Sequence, residues 1–186
     1  MLAARHLREK ALTMIIEQSF IFHSQGVPLV GRFFRSAAAL GERRPAVIVT
    51  GSWLTVKEQM PTIYARALAE RGYTTVVFDF SGFGESHGEP RQAEMPARKM
   101  ADLRAVVEFL QSVSFVDPER VGALAICASA QYTLAALRQG LRLRSLVEHV
   151  ELGTPERRLQ LAEQTPDVAE AGAAGVRLHG FLVRDH

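Results

Sequence analysis

The sequence holds a single cysteine, Cys127, so no intramolecular disulfide can form, and a reducing compartment, the cytoplasm, is expected. It has no apolar run long enough to span a bilayer, so no membrane partner is expected. At the start, MLAARHLREKALTMII carries positive charge, but His6, Arg8, Glu9 and Lys10 interrupt the apolar core that a secretion signal needs. There is also no block of one charge. The 22 Lys and Arg nearly balance 20 Asp and Glu, leaving +2 with no aromatic-interleaved basic stripe, and no nucleic-acid partner is expected. No group of His, Cys or carboxylates has metal-ligand spacing, so no metal is expected. Gly82-Phe83-Gly84 follows an apolar run as a dinucleotide fingerprint does, but Pro90 and Pro96 interrupt the helix that would receive a pyrophosphate. No cofactor is expected.

What is present is enough for one core. At 186 residues, 47% hydrophobic and 23% charged, the chain reads as a single domain over residues 1–186, with 1–14 as an N-terminal extension. Glu17–His23 and Val27–Phe34 read as strands joined at Gln25-Gly26, a hairpin. Residues 36–44 read as a loop. Ala46–Thr50 is an apolar, β-branched run without alternation, as expected of a strand buried on both faces. Met60 and Pro61 open a helix through Ala69, with Ile63, Ala67 and Leu68 on one face and Gly72 closing it. Tyr73–Phe80 is the next buried strand, followed by the irregular SGFGESHGEPRQAEMP. Pro96 starts a helix in which Met100, Leu103, Val107 and Leu110 recur at helical spacing. Asp117 and Pro118 turn the chain into a strand at Val121. The order predicts an α/β fold: a predominantly parallel sheet with helices on both faces and an N-terminal antiparallel hairpin.

Active sites in such sheets lie at the carboxyl ends of the strands. Three loops qualify: Gly51-Ser52-Trp53, the glycine-rich loop after Phe80, and the turn at Cys127. In that last stretch, Val121–Ile126 reads as a strand and Tyr132–Leu137 as the early part of a helix, and the reversal between them is flanked by small residues, Ala125 and Ser129. A nucleophile on a tight strand-to-helix turn needs such neighbours, because larger ones would collide with the adjacent strand and the helix start. A thiolate there is also stabilised by the unpaired N–H groups of the helix start. The competing reading is an inert core cysteine. Ser129 is the alternative nucleophile, but Gln131 downstream is large for such a turn. His87, Glu58, Glu94 and Arg91 lie in or beside the same loops; a solvated histidine and surface ion pairs are their plainer readings.

Taken together, TGSWLTVKEQM, FDFSGFGESHGEPR and GALAICASAQY resemble the α/β-hydrolase superfamily and, within it, the dienelactone-hydrolase-like branch, over roughly residues 15–140. The resemblance implies that Cys127 is the elbow nucleophile and that the backbone N–H groups of Ala128 and Ser52 form an oxyanion hole. Trp53 and Ser129 are placed at the pocket, and Asp79, Gly82 and Gly84 in a loop that shapes its floor. Residues 141–186 do not resemble the family. In that tail Leu143–Val150 and Val176–Val183 read as strands and Pro155–Gln164 as a helix capped by Thr154. Asp167 and His179 preserve the order nucleophile, acid, histidine.

Two functions are compatible with these residues. One is hydrolysis of an ester, thioester or lactone by Cys127, acting on a small-molecule substrate with an acyl group. The other is a catalytically incomplete protein of the same fold that binds a small ligand or a partner. The divergent tail is expected from a truncation or a reading-frame change, and a sheet ending near the cysteine strand would favour self-association.

Overall fold

The computed structural model describes residues 14–149 and 177–180. Strand β1 (Ile15–Ser24) and β2 (Val27–Ser36) pair antiparallel along their whole length, from Ile15 opposite Ser36 to Ser24 opposite Val27. Gln25 and Gly26 join them with φ of 50° and 81°. Two left-handed residues in succession make the turn whose twist matches paired strands, and glycine takes the second place without a Cβ penalty. A single turn of 3-10 helix, Ala37–Ala39, interrupts the expected 36–44 loop. It is followed by β3 (Arg44–Thr50), α1 (Met60–Glu70), β4 (Thr74–Phe78), α2 (Pro96–Gln111), β5 (Val116–Ile126), α3 (Ala128–Arg138), β6 (Ser145–His149) and β7 (Arg177–Gly180).

These strands form one seven-stranded sheet in the order β1-β2-β4-β3-β5-β6-β7. The hairpin is antiparallel and β2 pairs antiparallel with β4; all later pairs are parallel. The sheet thus runs two strands past β5, and the cysteine strand is interior.

Strand alternation sorts the core onto two faces. Ala46, Ile48, Val76, Phe78, Ala123 and Ala125 pack with Leu103, Val106 and Leu110 of α2 and with Ala130 and Ala136 of α3. Val49, Val77 and Ile126 point the other way, onto Ala65 and Ala69 of α1. Because the strands are covered on both sides, they read as continuous apolar runs, and their expected positions hold to within a few residues. At the hairpin end, Phe20 lies 4.3 Å from Phe33 and 4.9 Å from Phe109 between ring centres, tying β1 to α2.

Two expectations change. The inward face of α1 is Pro61, Ala65 and Ala69, whereas Ile63 is 69% exposed. Close packing of the helix on Val49 and Val77 selects alanines, so the more apolar stripe is not the buried one. The Asp117-Pro118 turn lies inside β5: Arg44 pairs with Val116 and Ala46 with Val121, so residues 117–120 bulge out of the ladder. Proline has no ladder hydrogen bond to lose in such a bulge, and Asp117 there accepts from the Glu119 amide at 3.1 Å.

Candidate active site around Cys127

Strand β5 ends at Ile126 and α3 starts at Ala128, so Cys127 alone makes the reversal, with φ 57° and ψ −119°. A non-glycine residue in that region costs on the order of 1–3 kcal/mol and persists only where its surroundings hold it. Cys127 is partly buried and packs against the cluster on the α1 side of the sheet. Ala128 is the first helical residue, where the backbone N–H has no partner within the helix. The Ala130 N–H donates to the Cys127 carbonyl at 3.0 Å and closes the first turn.

Ser129 is buried, and its hydroxyl lies between two carbonyls, those of Gly51 and of Ile126, the latter at 3.1 Å. Its side chain is therefore a strut between α3 and the loop after β3. Gripping the Gly51 carbonyl fixes the planar peptide whose other side is the Ser52 N–H. Ser52 is half-buried; its carbonyl accepts from the Thr55 hydroxyl at 2.8 Å. Trp53 is 64% exposed, and Leu54 beside it has φ 56° and is also exposed.

The loop after β4 is irregular yet tied at many points. Asp79 is buried, accepting from the Lys57 amide (2.8 Å), the Lys57 Nζ (2.6 Å) and the Glu85 amide (3.0 Å). Ser86 Oγ donates to the Asp79 carbonyl and accepts from the Val30 amide, and Asp102 of α2 accepts from both the amide and hydroxyl of Ser81. Burial pushes the Asp102 carboxyl up from its ordinary value against those hydrogen bonds. His87 is exposed, with its backbone N–H bonded to the Pro28 carbonyl. Arg91 donates to the carbonyls of Ser86 and Gly84.

Glu58, Asp79 and Glu85 place carboxylate oxygens within 4.8 Å of one another, a grouping that linear spacing did not reveal. Lys57 Nζ bonds all three, at 2.8, 2.6 and 2.5 Å. The chain thus supplies its own cation there. Gly84 abuts this cluster with φ 46°, and a Cβ on it would meet Asp79 Oδ2 at 2.2 Å. Gly84→Ala is therefore expected to destabilise the fold by about 2–4 kcal/mol, overpacking added to left-handed strain, as measured by urea unfolding.

Nothing in the linear spacing marks Lys57 or Tyr132 as part of a site. For Lys99 and Asp102 a signal existed, since both fall on the buried stripe of α2 with Leu103, Val106 and Leu110. Asp167 lies outside the described residues, as does the expected helix Pro155–Gln164. His179 lies in β7 opposite Val147, which lies opposite Leu124, so its backbone is level with a point three residues before Cys127; its side chain lies outside what is described.

No family model matches the chain. It is 41% identical over 111 residues to the uncharacterized protein YcjY of Escherichia coli (strain K12), covering 59% of this chain and 36% of the relative. To the polyketide transferase claH of Penicillium crustosum it is 33% identical over 114 residues, 60% of this chain and 37% of the relative. To the thiohydrolase aneE of Aspergillus aculeatus it is 29% identical over 123 residues, 66% and 37%. The match thus spans about a third of the length of these relatives. The alpha/beta hydrolase GrgF from Penicillium sp. sh18 superposes with a TM-score of 0.68 at 25% identity, covering 84% of this chain and 56% of that one. A dienelactone hydrolase-like promiscuous phosphotriesterase from metagenomic libraries superposes with a TM-score of 0.66 at 15% identity, covering 92% and 84%. Among the described residues no helix is long and apolar enough to cross a membrane. On its overlap with these structures the chain carries the α/β-hydrolase fold, in the form seen in dienelactone-hydrolase-like proteins.

Proposed function

We propose that the chain carries the nucleophile of a hydrolase acting on ester, thioester or lactone bonds. The observation that supports this most is the backbone of Cys127, a single left-handed residue at the carboxyl end of an interior parallel strand, with the helix amides directly after it. In this reading the Cys127 thiolate attacks the carbonyl carbon of a small acyl substrate. The Ala128 and Ser52 N–H groups receive the resulting oxyanion, the alcohol or thiol leaves, and water releases the acyl group. Relatives called a thiohydrolase and a polyketide transferase are compatible with an acyl-enzyme that either water or another nucleophile resolves.

Asp167 and His179 are the acid and base of this reading. The register of β7 sets the His179 backbone short of the Cys127 level, so the test must separate base from nucleophile. With a chromogenic ester, His179→Ala and Asp167→Asn are each expected to lower turnover on the order of 10²–10⁴-fold, the usual share of general acid–base catalysis, while Cys127 still accepts one label from iodoacetamide. Burst and turnover unchanged in both variants would remove those two residues as partners of Cys127.

A further inference from the structure

Glu94 lies between β4 and α2 with its side chain 13% exposed, and both of its oxygens are engaged. Oε1 accepts from the Leu54 N–H at 2.9 Å and from Lys99 Nζ at 2.8 Å. Oε2 accepts from the Tyr132 hydroxyl at 3.0 Å and pairs with Lys99 Nζ at 2.7 Å. The Lys99 side chain is 5% exposed, its ammonium 4.5 Å from the ring centre of Phe83, 4.8 Å from Phe80 and 5.2 Å from Tyr132.

Withdrawing an ion pair from water is a poor source of stability, because desolvation offsets most of the attraction. What this pair does is join four segments: the loop after β3 at Leu54, the approach to α2 at Glu94, α2 at Lys99 and α3 at Tyr132. Burial acts to raise the Glu94 carboxyl, but the Lys99 ammonium and the Leu54 amide hold it below its ordinary value. Burial pushes Lys99 down despite Glu94. The Tyr132 phenol is pushed up to about 12 by burial and by the Glu94 carboxylate.

The location matters more than the strength. Leu54, in a left-handed conformation that a non-glycine residue adopts only where its surroundings hold it, follows Ser52 by two residues, and its amide is the one that Glu94 holds. On the other side of Ser52, the Gly51 carbonyl is held by Ser129. Both grips lead to α3, through Ser129 and through Tyr132, and α3 is the helix that starts directly after Cys127.

We propose that Glu94 is a positioning residue of the Cys127 site: by bonding Leu54 and Tyr132 together it fixes the Ser52–Trp53 segment against the start of α3, and so keeps the Ser52 amide in place for the oxyanion. The placement of the segment stands on the geometry alone; its use for an oxyanion rests on the hydrolase reading.

The two chemistries of one thiol separate these points. In acylation by a nitrophenyl ester, sulfur bonds to the carbonyl carbon, the carbonyl pair moves onto oxygen, and its return expels nitrophenolate. In alkylation by iodoacetamide, sulfur bonds to the methylene carbon as iodide leaves, and no oxyanion forms. Cys127 is the sole cysteine and Trp53 the sole tryptophan, so thiol labelling and fluorescence each report one residue.

In Glu94→Ala, Trp53 fluorescence anisotropy is expected to fall, and acylation of Cys127 to slow about 10²-fold, the usual cost of a 1 Å misplacement, with alkylation unchanged. Glu94→Gln, which keeps an oxygen for the Leu54 amide, is expected to recover part of both signals, and Tyr132→Phe to lose part of them; these two decide the matter if the alanine variant does not fold. Variants with native circular dichroism, unchanged Trp53 anisotropy and an unchanged ratio of acylation to alkylation would overturn the proposal. Acylation and alkylation falling in proportion would overturn it as well, since that marks a general loosening of the turn. A wild type that is alkylated but never acylated overturns the hydrolase reading, and the anisotropy comparison then decides for or against the Glu94 clamp.

Discussion

Cys127→Ala is expected to abolish the burst of chromophore that the wild type releases from an activated ester, and to lower turnover on the order of 10⁶-fold, the scale seen when a covalent catalyst loses its nucleophile. The burst in the wild type should approach one equivalent per chain, because each chain has one thiol. Cys127→Ser is expected to fall between the two, since a hydroxyl placed on the same turn relies more heavily on a base than a thiol does. Alanine is small enough to stand between Ile126 and Ala128, so far-UV circular dichroism should not change. Equal rates in wild type and Cys127→Ala would remove the enzyme reading and leave the fold as a ligand- or partner-binding module.

Lys57→Met is expected to be the most destabilising single substitution at the carboxyl edge of the sheet. The Lys57 side chain is 1% exposed and Asp79 is buried beside it, so methionine would leave a carboxylate in the interior without its counter-ion. Breaking a buried pair in this way costs about 3–5 kcal/mol, a large part of the 5–15 kcal/mol that holds a typical domain folded. Adding Asp79→Asn to Lys57→Met removes the stranded charge and should return about 1–2 kcal/mol, within the range of measured coupling energies. Urea unfolding of the two single variants and the double variant reads this directly. Losses that simply add would show that Lys57 and Asp79 do not act on each other.

The pH dependence follows from the same group. Burial works to lower the Lys57 pKa, but hydrogen bonds to Asp79, Glu58 and Glu85 outweigh it and raise the value above that of a free lysine. A raised folded-state value means that the contribution is complete below the unfolded pKa of about 10.4 and is lost as pH rises through the folded one. On the acid side, the hydrogen bond from Lys57 lowers the Glu85 carboxyl, so that contribution is present above about pH 4.3 and is lost as pH falls through the folded value. The gap between wild type and Lys57→Met should therefore narrow at alkaline pH as Lys57 loses its proton, and on the acid side as the carboxylates left without it take up protons.

How far these features can be read in the residues depends on whether they are local. The strands at Ala46–Thr50 and Val121–Ile126 are legible because burial on both faces leaves continuous apolar runs, and the turn at Cys127 because its small neighbours lie within two positions. The hairpin is fixed by Gln25 and Gly26 alone. By contrast, Lys57 meets Asp79 across 22 positions, and Glu94 meets Leu54 across 40 and Tyr132 across 38. No spacing rule links residues that far apart, and Glu94 and Lys57 look like any surface charge until the sheet brings the loops after β3 and β4 together. The face of α1 fails for another reason. Hydrophobicity favours Ile63, but the closeness of the helix to the sheet selects the smaller Ala65 and Ala69. Lys99 and Asp102 lie between these cases, since their place on the apolar stripe of α2 is visible in the spacing while their partners are not.

Mass analysis of the acid-quenched reaction with an activated ester tests the central claim most directly. One acyl group on the peptide that contains Cys127, formed within the burst and absent after prior treatment with iodoacetamide, is the predicted result. An acyl group on any other residue, or a thiol that takes iodoacetamide only after the chain is unfolded, would contradict it.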